Sequence, residues 1–187
     1  MDKDNKTKYK FANAIKVLMQ SRSLDSITVK DIVTQCDRTR QTFYRHFKDK
    51  YDLVNWYFEK LVQQSFKEMG VSCTLRESLI KKFLFIEAER VFFSQAFKSN
   101  DYNSPMNYDY ECIYKFYSDI ISRKMNGPLD EEVDFLLRMY CRGSIYMTVE
   151  WVYQPGDVSP EQIADLLIEA LPERLHMLLS DLQETSV

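Results

Sequence analysis

Apolar residues recur along this chain at steps of three and four residues, the spacing that places side chains on one face of an α-helix. The first such stripe contains Phe11, Ala12, Ile15, Leu18 and Met19. No stretch of useful length alternates apolar and polar residues as a half-buried strand does, and only 4 Gly and 5 Pro interrupt the 187 residues. The pattern therefore predicts an all-α fold.

Helix starts are marked by a short hydroxyl side chain followed three residues later by an acid or an amide, the spacing of a capping box. These pairs are Thr28 with Asp31, Thr74 with Glu77, and Ser159 with Gln162. Later apolar stripes run over residues 110–121, 130–153 and 163–182. Pro172 must kink or restart the last of these helices, because proline cannot continue a helix.

Residues 28–50 have the outline of a helix-turn-helix. A short helix with Ile32 and Val33 facing inward follows Thr28, and a break at residues 36–38 separates it from a second short helix, which Thr39 can cap. The longer first helix would support the pair.

Charge divides the chain into two parts. Residues 1–50 carry 12 Lys and Arg against 6 Asp and Glu, a net charge of +6, whereas residues 51–187 carry 13 against 22, a net charge of −9. A basic head on an acidic body is typical of a polyanion-binding module joined to a second module, although a solvated basic face gives the same balance. Because no uncharged run reaches half of the ~18 residues that suggest a membrane helix, and the N-terminus has no apolar core, we expect a soluble cytoplasmic protein without a membrane span.

Catalytic and metal-binding patterns are absent from the sequence. The two histidines lie far apart, the four glycines are isolated, and no nucleophile motif is complete. The four cysteines form no zinc spacing and are expected to be reduced, packed thiols, with a redox switch as the alternative. They are Cys36, Cys73, Cys112 and Cys141. We therefore expect neither an enzyme nor a bound metal or cofactor.

The second short helix carries side chains suited to nucleic acid. Arg40 can bind guanine and Gln41 adenine through paired hydrogen bonds, while hydroxyl, amine and imidazole groups suit phosphate oxygens. Phe43 and Phe47 lie four residues apart and would anchor the opposite face. The alternative is a solvated basic helix without a ligand.

Residues 42–53, TFYRHFKDKYDL, resemble the signature of TetR-type transcriptional regulators, in which T-(F/L)-Y-x-H-F-x-x-K-x-x-L spans the recognition helix and the start of the fourth helix. The similarity extends back over the first helix. It implies a three-helix helix-turn-helix DNA-binding domain over residues 1–48 and a helical effector-binding and dimerisation domain over residues 49–187. The sequence departs from the family at the turn, where Cys36-Asp37-Arg38 replaces the usual Ala-Gly-Val and Arg38 can add a phosphate contact.

The resemblance also implies the roles of individual residues. Arg40, Gln41 and Thr42 would face base edges, and Tyr44 would reach a phosphate or a thymine methyl group. His46 could instead be a packed core histidine, but the motif favours a phosphate contact, as it does for Lys50. The full set of expected DNA-binding residues is Thr28, Lys30, Thr39, Arg40, Gln41, Thr42, Tyr44, Arg45, His46 and Lys50.

The acidic body has no motif that names a ligand, and its aromatic side chains can line a pocket or fill a core. The residues expected to bind an effector are Phe93, Tyr114, Tyr140, Arg142 and Tyr146. Arg142 would meet an anionic ligand or pair with an acid. The stripe from Ile163 to Leu182, together with that from Val133 to Val152, predicts a four-helix dimer interface. Its expected contact residues are Ile163, Leu167, Leu171, Leu175 and Leu178.

These features predict a homodimeric regulator of transcription that binds palindromic double-stranded DNA and responds to a small polar or phosphorylated metabolite or to a partner protein. The resemblance favours a repressor over an activator. The Arg40–Tyr44 segment, Trp151 and Ser159-Pro160-Glu161 are also similar to the subgroup of dihydroxyacetone kinase regulators, which predicts control of dihydroxyacetone or glycerol metabolism. The alternative is a helical interaction module or small-molecule-binding protein without specific DNA binding.

Overall fold

A computed structural model describes residues 3–67, 69, 73–99, 101 and 105–179. Over these residues the chain forms ten α-helices, one short 3-10 turn at Leu24–Ser26 and no strand, which confirms the all-α prediction. The helices are α1 (Lys3–Met19), α2 (Val29–Gln35), α3 (Arg40–Tyr44), α4 (Lys50–Phe66), α5 (Leu75–Ala88), α6 (Arg90–Phe97), α7 (Pro105–Met125), α8 (Glu131–Tyr153), α9 (Pro160–Glu169) and α10 (Glu173–Leu178).

Reciprocal hydrogen bonds cap α2, α5 and α9 at the three predicted starts. In each pair the first side chain accepts the backbone N–H of the second residue, and the second side chain accepts the backbone N–H of the first. The two N···O distances are 2.8 and 3.2 Å for Thr28–Asp31, 2.8 and 3.1 Å for Thr74–Glu77, and 2.8 and 3.2 Å for Ser159–Gln162. These local contacts fix where the helices begin.

The first of two compact units comprises Met1–Lys60 and Glu89–Tyr108. It contains α6 as well as the helices expected for the DNA-binding head, because α6 completes the core of that head. The Phe92 ring lies edge-on to Tyr57 of α4, with centroids 5.3 Å apart. Lys16 of α1 donates to the Tyr57 hydroxyl at 3.2 Å and pairs with Glu89 just before α6. The first unit is therefore larger than the domain of residues 1–48 expected from the resemblance.

The second unit comprises Leu61–Ala88 and Asp109–Val187. Within it α5 packs on α9, and α10 packs on α8. Phe83 of α5 meets Trp151 of α8 edge-on, with ring centroids 5.3 Å apart. The chain crosses between the two units within α4, between α5 and α6, and within α7.

Pro172 divides the last apolar stripe into two helices. It stands between α9 and α10 in an extended backbone conformation (φ −53°, ψ 141°). The prediction that proline must kink or restart this segment is confirmed as a restart. Leu182, the far end of the predicted stripe, lies outside the described residues.

Candidate nucleic-acid interface

The entry into α2 is held by a small polar network. Asp31 accepts hydrogen bonds from the backbone and hydroxyl of Thr28 and lies 3.2 Å from the guanidinium of Arg22. The hydroxyl of Thr28, its backbone N–H and Arg22 together lower the pKa of the Asp31 carboxyl to about 2. Lys30 follows in the first turn of α2 with its side chain exposed.

The turn between α2 and α3 uses a left-handed residue. Asp37 has φ 51°, a conformation that glycine adopts without strain and aspartate tolerates better than most residues. The backbone N–H of Arg38 donates to the Val33 carbonyl at 2.8 Å, and that of Asp37 donates to the Thr34 carbonyl at 3.3 Å. This pair of bonds is the Schellman pattern that usually has glycine at the left-handed position. The sequence departure at the turn is therefore accommodated without losing its hydrogen bonds.

Helix α3 is anchored by one face and exposed on the other. Thr39 caps it by accepting the backbone N–H of Thr42 at 3.1 Å. Phe43 and Phe47 are buried, and their ring centroids lie 5.3 and 6.4 Å from that of Phe11 on α1. The opposite face is exposed to solvent and consists of Arg40, Gln41, Tyr44 and Arg45. Two guanidinium groups, one amide and one phenol are thus presented together on a rigid support.

Two of the residues expected to bind phosphate have partners inside the protein. The side chain of His46 is 14% exposed, and its Nδ1 lies 3.0 Å from Oδ1 of Asp4. Its ring also packs near Phe11, so it is largely the core histidine that the sequence allowed as an alternative. Only Nε2 is left to reach a phosphate.

Lys50 joins the start of α4 to the loop before α2. Its Nζ donates to the carbonyls of Asp25 and Ile27 at 2.7 and 2.9 Å. Burial lowers the pKa of this ammonium. Two of its three N–H groups are therefore occupied by the loop, a structural role that the motif does not reveal.

Of the five residues expected to bind an effector, Tyr114 and Arg142 both contact Tyr110. Phe93 belongs to the first unit, where its ring packs 5.8 Å from that of Phe58. In the second unit, Tyr114 donates to Asp134, and Tyr146 is 60% exposed.

Tyr140 and Arg142 lie in different surroundings although they are two residues apart. The Tyr140 hydroxyl donates to the Leu167 carbonyl at 2.9 Å, and the residue lines an interior cavity. The Arg142 guanidinium lies 4.3 Å from the centroid of the Tyr110 ring. Arg142 also donates to the Tyr110 hydroxyl at 3.2 Å, so its contact is a tyrosine, whereas the sequence offered an anionic ligand or an acid.

The residues expected to form the dimer contacts are mostly buried in the single chain. Ile163, Leu167, Leu171 and Leu175 are buried within their own unit, and Leu178 is half-buried. Four of the five side chains therefore pack in the core of the protomer itself. Exposed apolar side chains lie instead on α8, at Phe135, Met139, Tyr146 and Met147.

Among the described residues, no helix combines the length and apolar character needed to cross a membrane. In the same part of the chain, no three His, Cys, Asp or Glu side chains cluster as metal ligands would.

Known proteins resemble this chain in sequence and in fold. Residues 13–56 match the family model described as bacterial regulatory proteins, tetR family, and residues 73–173 match the model described as transcriptional regulator C-terminal region. The HTH-type dhaKLM operon transcriptional activator DhaS of Lactococcus lactis subsp. lactis (strain IL1403) is 28% identical over 86 residues, 46% of each chain. The aligned segment thus spans about half the length of that relative.

Two solved structures have a similar fold. The dihydroxyacetone kinase operon activator DhaS superposes with a TM-score of 0.66 at 20% identity, covering 91% of this chain and 97% of that one. A TetR transcriptional regulator from Streptococcus agalactiae 2603V superposes with a TM-score of 0.65 at 22% identity, covering 94% and 95%. At this level of identity the superpositions show the fold alone, and the two family models cover most of both units. The chain belongs to the TetR family of bacterial transcriptional regulators.

Proposed function

We propose that this regulator binds a palindromic operator as a homodimer and reads its sequence with the exposed face of α3. The observation that carries the proposal is the presentation of Arg40, Gln41 and Tyr44 on a helix whose other face is buried through Phe43 and Phe47. A short helix anchored in this way can enter the major groove without giving up its own packing.

The contacts divide by chemistry. Arg40 suits the paired acceptors of guanine, and Gln41 suits the donor and acceptor of adenine. Lys30, Arg38 and Arg45 are exposed cations next to that surface and suit phosphate oxygens, which position the protein without reading sequence. Thr28, Thr39 and Thr42 contribute mainly by ordering the starts of α2 and α3. His46 contributes through its remaining ring nitrogen and Lys50 through its third N–H.

TetR regulators bind DNA as dimers, and we propose that α8 supplies the interface in this one. Phe135, Met139 and Tyr146 recur at steps of four and seven residues, so they lie on one face of α8, and all three are exposed. Leu166 of α9 and Met177 of α10 are also exposed apolar residues of the same unit. Exposed large apolar side chains that share one helix face, as on α8, are typical of an association site.

The relative from Lactococcus lactis is named as an activator of the dhaKLM operon. We infer from this similarity that the present chain controls genes of dihydroxyacetone metabolism in the cytoplasm, and that activation is favoured over the repression expected from the family resemblance alone. Its DNA affinity would change when the second unit binds an effector or a partner protein, because a ligand shifts a conformational equilibrium by its differential affinity for the two states. Tyr140, on the interior cavity, is the best placed of the predicted effector residues.

The experiment is a footprint and a gel shift with the DNA upstream of the chain's own gene, at fixed salt, against a scrambled duplex of equal length. We expect one protected palindrome and a shifted band that the scrambled duplex does not compete away. A helical interaction module or a small-molecule-binding protein without specific DNA binding would give no protected site. A reporter joined to the protected region then gives the sign of regulation.

A further inference from the structure

Helix α5 carries a lysine on its buried face. Lys82 is 6% exposed and shares that face with Ser78, Leu79 and Phe83. Its Nζ lies 5.9 Å from the centroid of the Phe83 ring. Burial of an ammonium group costs free energy unless an acid or a hydrogen-bond acceptor compensates, so this position is not explained by packing.

An aspartate is buried in the same unit. Asp109 of α7 is 0% exposed, and neither of its carboxylate oxygens accepts a hydrogen bond from any described group. Burial raises the pKa of this carboxyl, and the positive charge of Lys82 opposes that rise. The two charges therefore lie close enough to attract each other, but the ammonium does not hydrogen-bond to the carboxylate.

Further polar atoms accompany this pair. Ser78 lies one turn before Lys82 on α5, and its buried hydroxyl also has no hydrogen-bond partner among the described residues. Burial raises the pKa of the Cys141 thiol on α8 to about 12, with Asp109 adding to the shift and Lys82 opposing it. Side chains from α5, α7 and α8 thus meet around one polar region inside the second unit.

Lys82 also lines a small, partly open cavity of about 20 Å³ in that unit. Phe66 and Phe116 form aromatic walls, and Tyr140 and Ser144 add hydroxyl groups. Ile113, one turn after Asp109 on α7, also lines this cavity. This volume has room for about one water-sized group, so a larger occupant has to widen the cavity.

We infer that Lys82, Asp109 and Ser78 form the polar end of a binding site for a small neutral polyhydroxy compound. This inference rests on the proposed function, because the compound is the effector proposed there. A carboxylate needs a donor and an ammonium needs an acceptor, and a hydroxyl group supplies both. The opposite charges of Lys82 and Asp109 offset each other, so the site favours a neutral ligand over a phosphorylated one. The aromatic walls cover its carbon surface, and a compound of only a few carbons needs the least widening of the cavity.

Buried polar groups without partners are rare in native proteins, and they are tolerated where they serve binding at a cost in stability. A merely structural ion pair would place the ammonium in contact with the carboxylate. A binding role therefore predicts that neutralising Asp109 lowers the affinity for a ligand, which a merely structural role does not predict.

The test uses the full chain, with dihydroxyacetone and glycerol at low millimolar concentration as probes. Propan-1-ol, which keeps only one hydroxyl group, and glycerol 3-phosphate, which adds a charge, are the matched controls. We expect calorimetric binding of at least one neutral probe, weaker binding of glycerol 3-phosphate and no binding of propan-1-ol. Absence of binding by both neutral probes would overturn the site.

Variants assign the binding to these residues. Asp109→Asn should weaken binding of the probe roughly ten-fold or more, because a hydrogen bond to a charged group is lost. In the absence of ligand its Tm should fall, since the buried Lys82 ammonium loses the carboxylate charge that offsets it. Ser78→Ala should weaken binding less and provides the milder variant, while Asp119→Asn and Lys115→Met change exposed charges on α7 and should bind as the wild type does. Unchanged affinity in both Asp109→Asn and Ser78→Ala would contradict the assignment.

Operator binding measured in parallel separates the two proposals. Specific operator binding without binding of either probe overturns this site and leaves the proposed DNA-binding function intact. A probe that binds equally well with and without operator overturns its role as effector, because coupling between two sites is reciprocal.

Discussion

The orientation of α3 depends on a single left-handed residue, Asp37, at φ 51°. Glycine adopts this conformation without the steric cost that a Cβ imposes, so Asp37→Gly should raise the free energy of unfolding by up to about 1 kcal/mol. Asp37→Ala should lower it, because alanine has a Cβ and no polar group to compensate. Urea unfolding of the three proteins checks this, and a loss of stability in Asp37→Gly would show that the aspartate side chain contributes more than it costs.

Lys50 is the second residue whose role is structural as well as electrostatic. Lys50→Met leaves the carbonyls of Asp25 and Ile27 without their donor, and it should cost about 1–2 kcal/mol of stability. Lys48→Met, an exposed position in the same segment, is the control and should leave Tm unchanged. Equal Tm values for the two variants in thermal unfolding would remove the structural role.

Roles of this kind could not be predicted from the sequence motif. The partner of His46 is Asp4, 42 positions earlier, and Lys50 reaches a loop more than 20 residues away. A motif states which residue types recur, whereas a hydrogen bond depends on where distant segments lie after folding. By contrast, the exposed and buried faces of α3 follow from the spacing of Phe43 and Phe47 and were predictable.

Helix boundaries were predictable for the same local reason. A capping box joins residues three apart, so the pair Thr28–Asp31 is visible in the sequence and present in the structure. Asp31 also gives a pH prediction for α2. Its pKa is lowered from the ordinary 3.8 of an aspartate to about 2 in the folded protein, so its stabilising effect is complete above pH 4 and is lost as the pH falls towards 2.

Asp31→Asn should therefore be less stable than the wild type at pH 6, and the difference should shrink at pH 3. Urea unfolding at the two pH values measures this difference. Asp52→Asn is the comparison variant, because the Asp52 carboxylate also accepts a backbone N–H, from Lys48 at 2.8 Å. A difference between wild type and Asp31→Asn that is the same at both pH values would contradict the assignment of the shift to Asp31.

The partner of an apolar helix face was not predictable. The stripes on α8 and α9 are both rich in large apolar residues, and periodicity alone does not tell whether a face meets its own core or a second chain. In the structure α9 packs on α5, which uses Ile163 and Leu167 inside the protomer. The polar residues Lys82 and Asp109 interrupt such stripes, and this interruption is the one signal that could have indicated the interior polar site from the sequence.

Binding to a palindromic operator, as proposed, requires a dimer. Met139→Glu, at a position 60% exposed, should convert the dimer to a folded monomer. In a two-fold symmetric interface this substitution places two negative charges, one from each protomer, in the same contact. Leu84→Glu, on α5 and also exposed, is the control and should remain dimeric. Light scattering at micromolar concentration gives the masses. A monomeric wild type, or a dimeric Met139→Glu, would contradict the assignment of α8.

The central claim is that the exposed face of α3 reads base sequence. The direct measurement is the affinity of wild type, Arg40→Ala, Gln41→Ala and Lys30→Ala for the protected operator and for operators with one base pair changed in each half-site, at fixed salt. We expect Arg40→Ala and Gln41→Ala each to cost ~1–3 kcal/mol on the original operator and to become indifferent to one particular base change. Lys30→Ala should weaken binding to every duplex alike and flatten the dependence on salt. The proposal would be contradicted if Arg40→Ala and Gln41→Ala both still distinguished the original operator from the altered operators while Lys30→Ala did not.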